Sequence, residues 1–303
     1  MKIGIDLGGS HIAIGVVDNN FKIVEKIEKR ITSVEKKNIK KSIEEYIIKG
    51  VNNFLQRYKI ESIGIAIPGT LEDGKILKSV NLGINDEYNI TEELEKSIKD
   101  LPIKIKNDAK CAALAENKKG ALKGFNRTIF LTLGTGIGGA VIIDNKLLNT
   151  GSLSGCEFGH IIIDKNGKLC KCGKHGCFEA YSSMKVLKNN LRNVLGVDEK
   201  TRGEELLNII RNNKKGDKYY KEIENTIDEF IQYLAIGISN LINVFEPEAV
   251  GIGGSFVFFE DVLLERLKRC IIEENLLFNK QKNLKIIPAV LRNDAGIIGA
   301  TII

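Results

Sequence analysis

Apolar and polar positions alternate from the first residues. Ile3, Ile5 and Leu7 share one face, a Gly8-Gly9 turn follows, and Ile12, Ile14 and Val16 resume the alternation up to Asp18-Asn19-Asn20. A third run over residues 23–31 comes after that polar turn. The pattern predicts a three-stranded antiparallel meander with tight glycine and asparagine turns. Ile39, Ile43, Ile47, Val51, Leu55 and Tyr58 then recur at spacings of three and four, the period of an amphipathic helix.

Strand character returns over 63–67 and stops at Pro68-Gly69. A helix is expected near 91–99, and a short strand over 103–105 delivers Asn107-Asp108 ahead of a helix over 109–119. From residue 127 the opening pattern starts again: a strand over 129–133, a turn at Gly134-Thr135-Gly136, and a strand over 140–143. Strand, glycine turn, strand is the device used at Gly8-Gly9, so an internal duplication is expected. Beyond a cysteine-rich segment the chain reads as mainly helical, with Ile223, Ile227, Phe230, Leu234, Ile238 and Leu241 forming a long apolar stripe. A strand over 249–252, a helix near 261–271, a strand over 284–290 and a short terminal helix complete an α/β pattern.

Composition narrows the function. A length of 303 residues accommodates two domains, and 43% hydrophobic residues supply a sizeable core. The formal charge of +6 is spread thinly, with lysines beside acids as in Glu35-Lys36-Lys37, so it reads as solvated helix faces. Together with the absence of Trp this argues against nucleic acid, since base stacking needs aromatic platforms. No apolar run reaches the ~18–20 residues that cross a bilayer, and Asp6 interrupts the stretch a signal peptide would need. A cytoplasmic protein with reduced cysteines and no membrane partner is the expectation.

Three glycine loops, the Asn107-Asp108 pair and one cysteine cluster carry candidate chemistry. Asp6-Leu7-Gly8-Gly9-Ser10 lies at a hairpin turn where glycines let backbone N–H groups approach a phosphate, Ser10 adds a hydroxyl, and Asp6 is a candidate ligand for the Mg²⁺ that accompanies ATP. Leu133-Gly134-Thr135-Gly136-Ile137-Gly138-Gly139 is a second such turn, with Thr135 a candidate phosphate donor. It lies between two strands and so lacks the strand–helix context of a dinucleotide fingerprint. Gly253-Gly254 ends a third strand and would let an adenine ring lie close to backbone. Each of the three is also a plain tight turn. Asn107-Asp108 is either an Asx turn or helix cap, or the carboxylate that accepts a hydroxyl proton in phosphoryl transfer, with Asn107 holding a second hydroxyl. The sharpest signal is Glu157-Phe158-Gly159-His160 followed by Cys170-Lys171-Cys172-Gly173-Lys174-His175-Gly176-Cys177-Phe178-Glu179. Three thiolates and one imidazole make a closed Cys₃His site for structural Zn²⁺. Spacing leaves His160 and His175 equal as the fourth ligand. Glu157 and Glu179 flank the cluster as candidate acceptors for sugar hydroxyls, or as surface acids. His11 is assigned no chemistry, and Cys111 and Cys270 read as small helix hydrophobes.

Taken together, these motifs resemble the ROK family of repressors and sugar kinases, most specifically at 157–160 and 170–179 and more broadly from Asp6 to Gly299-Ala300. The resemblance implies an α/β protein of the actin-like ATPase (ribonuclease H-like) fold with two domains around a cleft. The expected division is 1–116 with 293–303 as the small domain, and 117–292 as the large domain with the zinc loop. It implies Asp108 as general base toward a sugar hydroxyl, most often on C6. Gly69, Asn81, Asn107, Asp108, Glu157, His160 and Glu179 would bind sugar, and Asp6, Gly8, Gly9, Ser10, Thr135, Gly136 and Gly254 would face nucleotide. His160, Cys170, Cys172 and Cys177 would hold zinc, and a homodimer is expected. Ser10-His11 stands where many family kinases have Thr-Lys, Lys110-Cys111 where Asn-Ala is usual, and Cys156 where Gly is common. Glucose stands first among acceptors, with N-acetylmannosamine and N-acetylglucosamine behind it. A sugar-sensing repressor is the competing class, disfavoured because a strand beginning at Ile3 leaves no room ahead of it for a helix-turn-helix. A non-catalytic sugar binder is the third.

Overall fold

The opening meander forms as its alternation requires. Strand β1 (Lys2–Leu7) pairs antiparallel with β2 (His11–Val17), which pairs antiparallel with β3 (Ile23–Arg30). Helix α1 (Ile39–Leu55) buries Ile43, Ile47, Val51 and Phe54 completely. The chain then enters β4 (Ile63–Ile67), parallel to β1, and a short hairpin of β5 (Thr70–Glu72) and β6 (Lys75–Lys78). Helix α2 (Ile90–Glu95) leads to β7 (Ile103–Asn107), parallel to β4, and directly into α3 (Asp108–Lys118). The sheet order is β3-β2-β1-β4-β7.

The second sheet repeats the plan. Strands β8 (Arg127–Leu133), β9 (Ile137–Ile143) and β10 (Lys146–Leu147) are followed by the helices α4 (Glu179–Ser182), α5 (Met184–Leu195), α6 (Gly203–Asn212) and α7 (Tyr220–Phe245). Then come β11 (Ala249–Gly254), α8 (Glu260–Glu273), β12 (Lys285–Pro288) and α9 (Asp294–Ala300). The order β10-β9-β8-β11-β12, with β11 parallel to both β8 and β12, matches the first sheet position for position. This is the architecture expected of a duplicated strand–turn–strand unit.

The computed structural model describes residues 1–148, 155–273, 276–278 and 283–303. They form two units: Met1–Gly124, Ala140–Cys156 and Leu291–Ile303 make the first, and Phe125–Gly139 with Glu157–Val290 the second. In the first unit, α9 lies directly on the backbone of the sheet. A methyl group on Gly4 would overlap the Ile297 carbonyl, and one on Gly64 would overlap the Ala300 carbonyl. Glu116 is fully buried in this unit, where its Oε2 accepts the Ala121 N–H at 2.7 Å and its Oε1 accepts the Leu291 N–H at 2.8 Å. Backbone donors thus satisfy a carboxylate whose burial would otherwise be costly.

Because neither the β4 backbone nor α9 has room to yield, Gly64→Ala is expected to destabilise the protein by about 3 kcal/mol, the upper range for overpacking. Urea melts followed by circular dichroism measure this; a midpoint equal to wild type would mean that α9 does not rest on Gly64.

Candidate active site

In the first unit, β1, β4 and β7 are adjacent and parallel, and the register pairs Asp6↔Ala66 and Ile67↔Asn107 bring their carboxyl ends level. Loops at the carboxyl ends of parallel strands are where ligands bind in open α/β sheets. There the fold collects Asp6 and the Gly8-Gly9 turn after β1, Gly69 after β4, and Asn107 and Asp108 at the β7–α3 junction. Gly69 has φ +129, and a side chain on it would run into the Lys78 carbonyl, so the chain can turn there only with glycine. Asn107 caps α3, its Oδ1 accepting the N–H groups of Ala109 at 3.0 Å and Lys110 at 3.3 Å. Its Nδ2 donates to the Gly69 carbonyl at 3.2 Å, which ties the end of β7 to the end of β4. The cap and the candidate ligand are therefore the same residue. Asp108, half-buried at the first position of α3, accepts the Ala109 N–H at 2.8 Å on Oδ1. Asp6 and Asp108 both act on Cys111: burial first, then these two carboxylates, push its thiol pKa up.

The first glycine turn is closed by the Gly8 N–H donating to the His11 carbonyl at 2.9 Å. The His11 ring occupies the space that a side chain on Gly8 would take, and a Cβ on Gly9 would stand 2.7 Å from the Asn81 carbonyl oxygen. His11 Nε2 lies 3.6 Å from Asp6 Oδ2. The close Asp6 carboxylate chiefly raises the imidazole pKa, burial opposes this, and the charge of Glu28 adds to the rise. Sequence reasoning missed this pair, because the alternation places His11 in a strand and nothing in it reveals the hollow under Gly8. A raised folded-state pKa gives stability that is complete below the unfolded value of about 6.5 and is lost as the pH rises through the folded value. The melting-temperature gap between wild type and His11→Gln is thus expected to be widest in mild acid and to close toward alkaline pH. A gap independent of pH would mean that no such pair forms.

In the second unit the turn after β8 and the end of β11 are neighbours, since Gly254 pairs with Leu133. Gly254 has φ +71, and a Cβ on it would stand 2.5 Å from the Leu133 carbonyl oxygen. Gly134 N–H donates to the Gly136 carbonyl at 2.9 Å, leaving Thr135 exposed at the tip. A side chain on Gly136 would collide with the Glu179 carboxylate, whose Oε2 accepts the Ile137 N–H at 2.8 Å. Glu179, at the start of α4, therefore belongs to this turn as well as to the cysteine segment. Glu157 is exposed and makes no hydrogen bond through its side chain to another described residue. Cys156 before it has φ +55, a left-handed conformation that glycine adopts at lower cost.

His160, Cys170, Cys172 and Cys177 present ligand atoms that all lie within 4.8 Å of one another. Cys172 Sγ is 3.6 Å from Cys177 Sγ, and Cys170 Sγ is 3.8 Å from His160 Nδ1. A tetrahedral ion with metal–sulfur bonds of about 2.3 Å sets its ligand atoms about 3.7 Å apart, so the group fits zinc. His175 is exposed and turned away, with its Nδ1 3.0 Å from the Gly167 carbonyl. The knuckle is framed by the bridges Ile162↔Cys177 and Leu169↔His175 and by Tyr181, whose hydroxyl accepts the Lys168 N–H at 2.7 Å and donates to Asp164 at 3.0 Å. The Lys174 N–H chiefly holds the Cys172 thiol below its ordinary pKa.

Two sheets of identical strand order, each with a glycine turn after its first strand, define a two-domain actin-like ATPase fold. The chain belongs to the ROK family, whose model matches residues 2–303. It is similar to the glucokinase of Thermotoga maritima, 31% identical over 98% of this chain and 95% of the relative. It is also similar to the xylose repressor of Bacillus subtilis, 28% identical over 98% of this chain and 75% of that protein. Among solved structures, the ROK family glucokinase of Streptomyces griseus in complex with glucose and AMPPNP superposes with a TM-score of 0.79 at 27% identity, covering 99% of this chain and 97% of that one. Among the described residues, no helix is long and apolar enough to cross a membrane.

Proposed function

We propose that the protein is an ATP-dependent hexose kinase that phosphorylates glucose at the C6 hydroxyl. The observation that carries this reading is the convergence of Asp6, Gly69, Asn107 and Asp108 at the carboxyl ends of three adjacent parallel strands, in a chain similar to glucokinases along its whole length. Asp108 accepts the proton of the C6 hydroxyl as its oxygen attacks the terminal phosphorus of ATP; the bond to the bridging oxygen breaks and ADP leaves. Asn107, whose carbonyl oxygen is committed to the helix cap, offers sugar its remaining amide hydrogen, with Gly69 beside it; Asn81, which lies against the Gly9 turn, is a further sugar ligand in this reading. Glu157 and the second oxygen of Glu179 accept sugar hydroxyls, and His160 offers sugar its Nε2 while Nδ1 faces the thiols.

Gly8, Gly9, Ser10, Thr135, Gly136 and Gly254 line the nucleotide. Asp6 would hold Mg²⁺ directly or through water, a fit for a cation that takes one or two carboxylates plus phosphate oxygens and neutralises developing charge. His160, Cys170, Cys172 and Cys177 would hold Zn²⁺ as a structural staple for the segment that carries Glu157 and Glu179. A cytoplasmic homodimer belongs to the same reading.

A coupled ADP-release assay over glucose, mannose, N-acetylmannosamine and N-acetylglucosamine tests the proposal. Glucose is expected to give the highest kcat/KM. Absence of ADP release with every sugar, alongside retained sugar binding, would favour a sugar-sensing regulator, a reading that the similarity to the xylose repressor keeps specific.

A further inference from the structure

Lys188 lies in the second turn of α5 and is half-buried, yet it has no carboxylate partner among the described residues. Its Nζ reaches the Ser255 hydroxyl at 3.5 Å, and that hydroxyl is itself 3.5 Å from the Leu133 carbonyl oxygen. The stem is held by Gly203 at the start of α6, where an added Cβ would stand 3.2 Å from Lys188 Cδ. The helix is anchored to the same place by the Lys185 N–H, which donates to the Gly134 carbonyl at 3.1 Å. The ammonium therefore ends where the glycine turns after β8 and β11 converge, all within the second unit. Burial, and then the charge of Arg192, hold its pKa below the ordinary lysine value. A partly desolvated cation without a counter-ion is costly in a folded chain, and a bound anion recovers that cost.

We infer that Lys188 is a nucleotide-binding residue whose ammonium takes a phosphate oxygen of ATP or ADP seated against the turns at 134–136 and 253–255. Lysine serves as a point charge for phosphate where glycine backbone allows close approach. The inference rests on the kinase reading for the identity of its ligand, and it adds a cation that the glycine loops and Thr135 do not supply.

Calorimetric titration of the full chain with ADP and, separately, with adenosine tests it in wild type, Lys188→Met and Lys188→Arg. Lys188→Met is expected to weaken ADP by about ten- to a hundredfold, the range for a hydrogen bond to a charged group, and to leave adenosine unchanged. Lys188→Arg is expected to restore most of the ADP affinity. The inference is overturned if Lys188→Met binds ADP as wild type does. It is equally overturned if ADP and adenosine weaken together, which would mark a disturbed fold. Wild type that binds no ADP overturns this inference and the kinase reading at once. Wild type that binds ADP but phosphorylates no sugar overturns only the kinase reading, and the ADP titration still decides Lys188.

Discussion

Asp108→Ala is expected to lower kcat about a hundred- to ten-thousandfold while sugar binding persists, because a positioned general base contributes that much to proton transfer. The proposed general-base role of this carboxylate must be separated from its place at the start of a helix. Asp108 is the first residue of α3 and accepts the Ala109 N–H, so it also favours the start of that helix. Losing an acid from a helix N-terminus costs about 0.3–1 kcal/mol. Both the alanine variant and Asp108→Asn lose that charge and should melt slightly below wild type, while Asp108→Asn keeps the shape and an oxygen that can still accept the Ala109 N–H. Both variants should fail in turnover by far more than so small a stability loss accounts for. A kcat within tenfold of wild type in Asp108→Asn would remove the general-base role.

Cys172→Ser is expected to abolish zinc binding and, with it, most of the kinase activity. Cys172 is the exposed thiol of the cluster, so serine there disturbs packing least and isolates ligation. Apparent folding energies for structural zinc in small peptides reach about 10–16 kcal/mol, far more than a short segment can replace by packing. Zinc held there would staple the segment from Glu157 to Glu179, which carries both carboxylates. Atomic absorption should find one zinc per chain in wild type and in His175→Ala, and none in Cys172→Ser or His160→Ala. A metal-free wild type with full activity would refute the assignment, and zinc lost in His175→Ala but kept in His160→Ala would exchange the two histidines.

Much of the fold was legible because strong periodicity needs no tertiary context. The alternation of Ile3, Ile5 and Leu7 and the stripe of Ile43, Ile47 and Val51 predicted β1 and α1 with the correct buried faces. The β5–β6 hairpin escaped notice although Asp73-Gly74 is a strong two-residue turn signal. Its strands are too short for alternation to register, and only Leu71 and Ile76 are buried. α5 and α6 lay within a stretch read only as helical. The site was legible residue type by residue type and opaque in its pairings. Spacing left the fourth metal ligand open, because His160 reaches the thiols through the pairing of Ile162 with Cys177, a tertiary event. Lys188 looks like any lysine on an amphipathic helix until Ser255 and Gly203 are brought to it from far along the chain. His11 likewise acquires significance only from the hollow that Gly8 leaves.

The seating of α9 on Gly4 and Gly64 also bears on how the protein is made. Strands β1 and β4 leave the ribosome long before the helix that covers their backbone. Contacts separated by nearly the whole chain close late and slowly, since the entropy of the intervening loop must be overcome first. A nascent chain halted before residue 291 would thus present a sheet with a bare backbone face, a sticky surface of the sort that chaperones retain. Emergence of residues 294–300, rather than completion of the strands of the first sheet, is expected to be the step that lets this sheet reach its native packing.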